Sequence, residues 1–238
     1  MTSAKEIDSG SPVAPTEQPP RHDGLLLVGE LAALIALTLA DARGLVPLSR
    51  TPFLLLLCWG SLRLRRLRWR DIGFARPPNM RRAIAVGVVA GLAIELFAIN
   101  ITTPWIASVT GTEPDVSDLH DVVGNWKLLL IFFLLNWTLA AFGEELAFRG
   151  YLMNRVADAF GRTRVAWIIS LAVVSVYFGI GHGTQGVAGI VQESLSGCWL
   201  GVFFLASGRN LTVPIVAHGV SNSLALVLIY LNHYPGLS

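Results

Sequence analysis

Charge is scarce in this chain. Asp, Glu, Lys and Arg make up 14% of its 238 residues, against 53% hydrophobic residues. A soluble domain carries about 25% charged residues, so a water-solvated globule is excluded and a polytopic membrane protein is indicated. Cysteine is nearly missing. Cys58 and Cys198 both sit in apolar segments, which leaves no disulfide framework and no cysteine-rich metal site. They read as small buried hydrophobes. There is no internal repeat, which argues against a transporter built from inverted halves. There is no His-Glu-x-x-His. The first 23 residues, MTSAKEIDSGSPVAPTEQPPRHD, contain no apolar run. They read as a disordered cytoplasmic tail and not as a signal peptide, which needs an apolar stretch.

Long apolar runs are what the chain has instead. Seven are long enough to span a bilayer or nearly so, at roughly 25–42, 46–62, 83–103, 127–148, 164–181, 187–206 and 211–231. The fold class this predicts is an all-α polytopic membrane protein, a bundle of about seven transmembrane helices. The pairs Gly87/Gly91 and Gly197/Gly201 allow close helix approach and read as packing positions. Orientation follows from the basic residues. Arg63, Arg65, Arg66, Arg68, Arg70, Arg76, Arg81 and Arg82 lie between the second and third runs, which places that segment in the cytoplasm. Alternation then puts the N-terminus inside and the C-terminus outside, with only Arg43, Arg50 and Lys127 on the outer side. The loop 104–126 holds Glu113, Asp115, Asp118 and Asp121 and no basic residue. The arginine cluster reads as a topogenic, lipid-facing stretch; no nucleic-acid partner is indicated.

Against this background a few polar groups stand out. Gly143-Glu144-Glu145-Leu146-Ala147-Phe148-Arg149 follows the uncharged run Leu128–Phe142. A charged side chain at the bilayer centre costs roughly 2.5–3.5 kcal/mol on insertion scales, so such groups are candidates for function. On a helix Glu145 and Arg149 face each other at i, i+4, and Glu144 points about 100° away. A free carboxylate beside a neutralised one suits a general base. His182 follows Phe178 by four, and His218 and Asn222 share one helix face. The fourth helix must continue through Val156, and the glycines 179, 181 and 183 must end the fifth helix within the membrane, for these elements to converge.

Glu-Glu-x-x-x-Arg (Glu144, Glu145, Arg149), Phe-x-x-x-His (Phe178, His182) and His-x-x-x-Asn (His218, Asn222) occur in that order. The ordered set resembles the CPBP intramembrane proteases, a family that includes type II CAAX prenyl endopeptidases and the bacteriocin-processing and immunity proteins of bacteria. The resemblance covers roughly residues 125–235. It divides the chain into the tail 1–23, N-terminal transmembrane helices with the basic loop over 24–124, and a protease core over 125–238. It implies that Glu144 and His182 activate water, that His218 and Asn222 stabilise the oxyanion, and that Glu145 and Arg149 support them. The implied partners are a membrane-bound peptide or protein substrate and the bilayer itself. The implied location is a bacterial cytoplasmic membrane, with the cavity open to the cytoplasm. The family is often called a metalloprotease, and zinc or another divalent metal is possible through Glu144, His182 and His218 with one open position. The resemblance is equally compatible with a glutamate mechanism in which no metal acts directly, and that is the reading adopted. The competing functions are a catalytically silent membrane scaffold or immunity protein and a small transporter with a Glu/His proton relay.

Overall fold

A computed structural model describes residues 24–41, 43–47 and 49–237. The expected tail 1–23 lies outside them. Every regular element among the described residues is helical. In chain order these are α1 (Gly24–Asp41), α2 (Thr51–Leu64), α3 (Met80–Thr110), α4 (Trp126–Ala159), α5 (Arg164–Ile180), α6 (Gly183–Ala206) and α7 (Thr212–Tyr230). All but α2 and α5 are long and apolar enough to cross a membrane, and those two are shorter apolar helices. Leu25 and Ile35 on α1, Val89 and Leu96 on α3, and Leu130 and Leu134 on α4 are exposed. An apolar exterior is what a hydrocarbon solvent requires, and the chain is an integral membrane protein.

Local sequence sets the helix ends. Asn79 accepts a hydrogen bond from the Arg82 amide at 2.9 Å and opens α3. Asn125 accepts from Leu128 at 3.3 Å and opens α4, and Thr163 accepts from Ala166 at 3.1 Å and opens α5. Each cap satisfies an amide that the first helical turn leaves unpaired. Gly181 terminates α5, where the glycine cluster predicts the break. The fourth helix runs on to Ala159, as convergence of the polar motifs demands.

Small residues then bring helices together. A Cβ on Gly87 would meet Val216, and one on Gly91 would meet the Ala217 carbonyl, so α3 lies directly on α7. Gly197 lies against Phe178 and Arg149, and Gly201 against Leu171 and Met153, which seats α6 on α5 and α4. The main apolar core is formed by Leu54, Cys58, Leu62, Ile72, Phe148, Phe178, Phe204 and Leu211 with their neighbours. Cys58 is fully buried, and both cysteines are free.

Two features differ from the reading of the sequence. The arginine-rich segment is no free loop. Leu211 donates to the Gly73 carbonyl at 3.0 Å and Asn210 to the Ala75 carbonyl at 2.8 Å, so the segment docks under the start of α7. Gly73 has φ +101°, and the Arg209 carbonyl occupies the place of its Cβ. Arg155, an inner-side charge by the alternation of basic residues, is a buried residue of α4 that pairs with Glu30 of α1, while Ser61 of α2 donates to the same carboxylate. Burial on α4 requires such a counter-ion.

Candidate active site

The middle of α4 is wound as a π-helix over Asn136–Glu144 and again over Leu146–Leu152. Such i→i+5 winding is rare and gathers at functional sites. Nothing in the residue pattern announces it, but the sequence-derived pair survives it. Arg149 Nη1 donates to Glu145 Oε1 at 2.7 Å, with the two side chains 1% and 0% exposed. Arg149 Nη2 donates to the Gly197 carbonyl at 2.9 Å. The absence of a side chain at Gly197 gives the guanidinium its access to that carbonyl.

Glu145 also joins the third motif to the first. His218 Nδ1 lies 2.9 Å from Glu145 Oε1 and is buried. A carboxylate that already serves Arg149 accepts the Nδ1 proton, which leaves Nε2 as the free edge of the ring. Phe178 packs at the centre of these groups. Its ring lies 4.6 Å from the Arg149 guanidinium, 4.9 Å from the His182 ring and 6.0 Å from the His218 ring. The aromatic position of Phe-x-x-x-His thus holds both histidines and the arginine.

His182 sits just past the end of α5, half-buried, with Nδ1 at 3.0 Å from the Phe178 carbonyl. A carbonyl only accepts, so Nδ1 carries the proton and Nε2 has a lone pair in the neutral ring. Glu144, also half-buried, accepts from the Thr51 hydroxyl at 3.3 Å. Its other oxygen makes no hydrogen bond to a described residue. Asn222 lies one helical turn beyond His218 on α7 and lines the same cavity.

The start of α2 links the Glu144 and His182 neighbourhoods. Thr51 holds Glu144, and the preceding residue, Arg50, lays its guanidinium against Gly181. Arg50 Nη2 is 3.5 Å from the Phe178 carbonyl that also takes His182. Arg50 reads from sequence as an outer-side charge, whereas its side chain is buried, with Phe148 and Tyr177 rings 5.6 and 6.0 Å away. A lone arginine ahead of an apolar run carries no signal of such a contact. The one legible hint was the neighbouring glycine at 181, which leaves room for it.

The three groups considered as metal ligands, Glu144, His182 and His218, are not assembled as a set. Among the described residues no cluster of three or more His, Cys, Asp or Glu is placed to hold an ion. The physical reason is visible in their partners: Glu144 turns to α2, His182 to its own helix end, and His218 to Glu145.

A cavity reaches Phe178, His218 and Asn222 and is bounded further on by Glu95, Gln192 and Tyr234. Glu144 and His182 are not part of its lining. The segment after α7 contributes Tyr234 to it. The start of α7 is fixed to the arginine-rich segment, and 19 helical residues separate its ends by about 28 Å. From His218 the cavity runs past Asn222 and Ala225 to Tyr234, away from the arginine-rich segment.

Residues 126–224 match the family described as type II CAAX prenyl endopeptidase Rce1-like. No curated protein and no solved structure matches the chain.

Proposed function

We propose that this chain, a member of the Rce1-like type II CAAX prenyl endopeptidase family, hydrolyses a peptide bond of a membrane-associated peptide or protein. Membership makes it a protease by family; the reaction path and its residues are the present reading. Glu144 and the Nε2 lone pair of His182 are two acceptors for the two protons of one water. Glu144 takes a proton as the water oxygen attacks the scissile carbonyl, and the same carboxyl returns it to the departing amine. Thr51 keeps one Glu144 oxygen occupied, so the other is the basic edge.

The negative charge that develops on the carbonyl oxygen needs donors fixed in advance. The Asn222 amide is one. His218 is the second: with Nδ1 on Glu145, its Nε2 donates when the ring is an imidazolium and faces the cavity that Asn222 also lines. Glu145 and Arg149 touch no reacting atom in this scheme. They hold His218, and the Gly197 carbonyl holds Arg149. The observation that carries the proposal is this continuous chain from Arg149 through Glu145 to His218, which makes one unit of two separate sequence motifs. A silent scaffold has no use for an oriented histidine edge at a cavity.

With the arginine-rich segment inside, the cavity faces the outer half of the membrane. The experiment that tests the function compares the termini of membrane peptides in cells carrying the wild-type chain or Glu144→Ala. New termini confined to wild-type cells are expected. Identical terminal profiles together with a solute flux lost on the substitution would favour the transporter.

A further inference from the structure

The cavity beside His218 and Asn222 has a second wall that the hydrolytic scheme does not use. Glu95 of α3 is 5% exposed. Its Oε2 accepts from the Ser221 hydroxyl at 2.6 Å and its Oε1 from the Tyr234 hydroxyl at 3.0 Å. Neither partner carries charge. Glu193 of α6 lines the same cavity and forms no hydrogen bond or ion pair with a described residue. Both carboxyl groups line this one cavity. Burial, then the charges of Glu95 and Glu193, hold the Tyr234 phenol well above its ordinary value. No Lys or Arg is among the residues lining the cavity. A buried and a half-buried carboxyl thus share a cavity with no Lys or Arg in its lining to offset them.

The remaining wall is suited to a peptide. Gln192 is 8% exposed. Its Oε1 accepts from Thr102 at 2.8 Å, while its amide nitrogen has no partner among the described residues. Buried amide nitrogens seek an acceptor, and a peptide carbonyl is one. His218, 5% exposed, likewise brings an unpaired Nε2 to the cavity. The cavity therefore offers the Gln192 amide, and the His218 Nε2–H when the ring is an imidazolium, to carbonyl oxygens, together with the carboxyl groups of Glu193 and Glu95.

We infer that this cavity is a subsite for a basic residue of the substrate peptide, with Glu193 and Glu95 receiving the ammonium or guanidinium group of a Lys or Arg close to the scissile bond. The inference rests on the hydrolase reading for its substrate, but its binding claim can be tested without cleavage. Glu193 is the group that meets the cation directly, because it is half-buried and uncommitted. Glu95 lies behind it, held in place by Ser221 and Tyr234.

The probes are three fluorescent, myristoylated dodecapeptides with a single central Lys, norleucine or Glu, bound to the full chain in nanodiscs of neutral phosphatidylcholine. The net charge of the chain is +2, so non-specific attraction favours the Glu peptide, the opposite of the inference. Fluorescence anisotropy is expected to give the Lys peptide about tenfold tighter binding than the norleucine peptide, the order of one partly desolvated charge pair. The Glu peptide should bind weakest. In Glu193→Gln the Lys-to-norleucine ratio should fall to within about twofold of unity. That ratio is taken within one protein sample, so it does not depend on how much of the variant is folded. Equal wild-type affinities for Lys and norleucine, or a ratio that Glu193→Gln leaves intact, overturns the subsite. Incubation of the same peptides with wild-type protein reads the hydrolase separately. Lys-selective binding without cleavage keeps the subsite and sinks the hydrolase, and cleavage without Lys preference does the reverse.

Discussion

Removal of the Arg149 guanidinium strands Glu145, a carboxylate with 0% exposure. Breaking a buried ion pair from one side costs about 3–5 kcal/mol, because the remaining charge is left uncompensated. The Gly197 carbonyl loses its donor as well, which adds to the same direction. In a chain of this size 1 kcal/mol moves the melting temperature by about 2–4 °C. Arg149→Ala should therefore melt roughly 6–20 °C below wild type in detergent. The double variant Glu145→Gln with Arg149→Met removes both charges together and should melt above either single variant. It should nevertheless stay inactive, because a neutral amide at 145 no longer provides the carboxylate that orients His218. Melting curves of wild type, Arg149→Ala, Glu145→Gln, Arg149→Met and the double variant decide the matter. A double variant that melts no higher than the worse single one refutes the pairing energetics and with them the argument that Arg149 acts through Glu145.

Three further outcomes are expected. Asn222→Ala should lower kcat about 10²–10³-fold with little change in melting temperature, as for loss of one oxyanion donor; unaltered turnover removes Asn222 from the site. Gly91→Ala should lower the melting temperature, because its Cβ would meet the Ala217 carbonyl and Val220 and overpacking costs about 1–3 kcal/mol; a rise, as helix propensity alone would give, shows that α3 and α7 are not in this contact. A reporter fused after Arg76 should be active only in the cytoplasm and one fused at the C-terminus only outside, and a cytoplasmic C-terminal reporter refutes the orientation and turns the cavity inward.

Much of the architecture is legible in the sequence because a bilayer imposes it: each apolar run predicted from composition corresponds to a helix, and the basic residues mark one end. The Glu145–Arg149 pair is legible because i, i+4 spacing is local information. What escaped is contact between distant segments. Arg155 reads as an inner-side charge, and its partner Glu30 lies on another helix. Arg50 looks topogenic, yet it fills the space over Gly181 beside His182. Segment 46–62 begins as a helix only at Thr51, where the chain turns to place Thr51 on Glu144. The π-winding of α4 is equally hidden, since no feature of its residue pattern marks it. The bond from His218 to Glu145 could be guessed from the motif set, but the residue spacing alone does not pair them.

The central claim is that Glu144 is the base of a peptide hydrolase. The direct measurement is single-turnover cleavage of a membrane-anchored peptide, taken from the terminal-profile comparison, by purified Glu144→Gln and wild-type protein reconstituted in lipid. The substitution keeps the side-chain size and strands no countercharge, so both proteins should melt together. The account predicts a loss of about 10²–10⁴-fold in the rate of bond cleavage, the range for removal of a general base. Cleavage by Glu144→Gln at about the wild-type rate would contradict it.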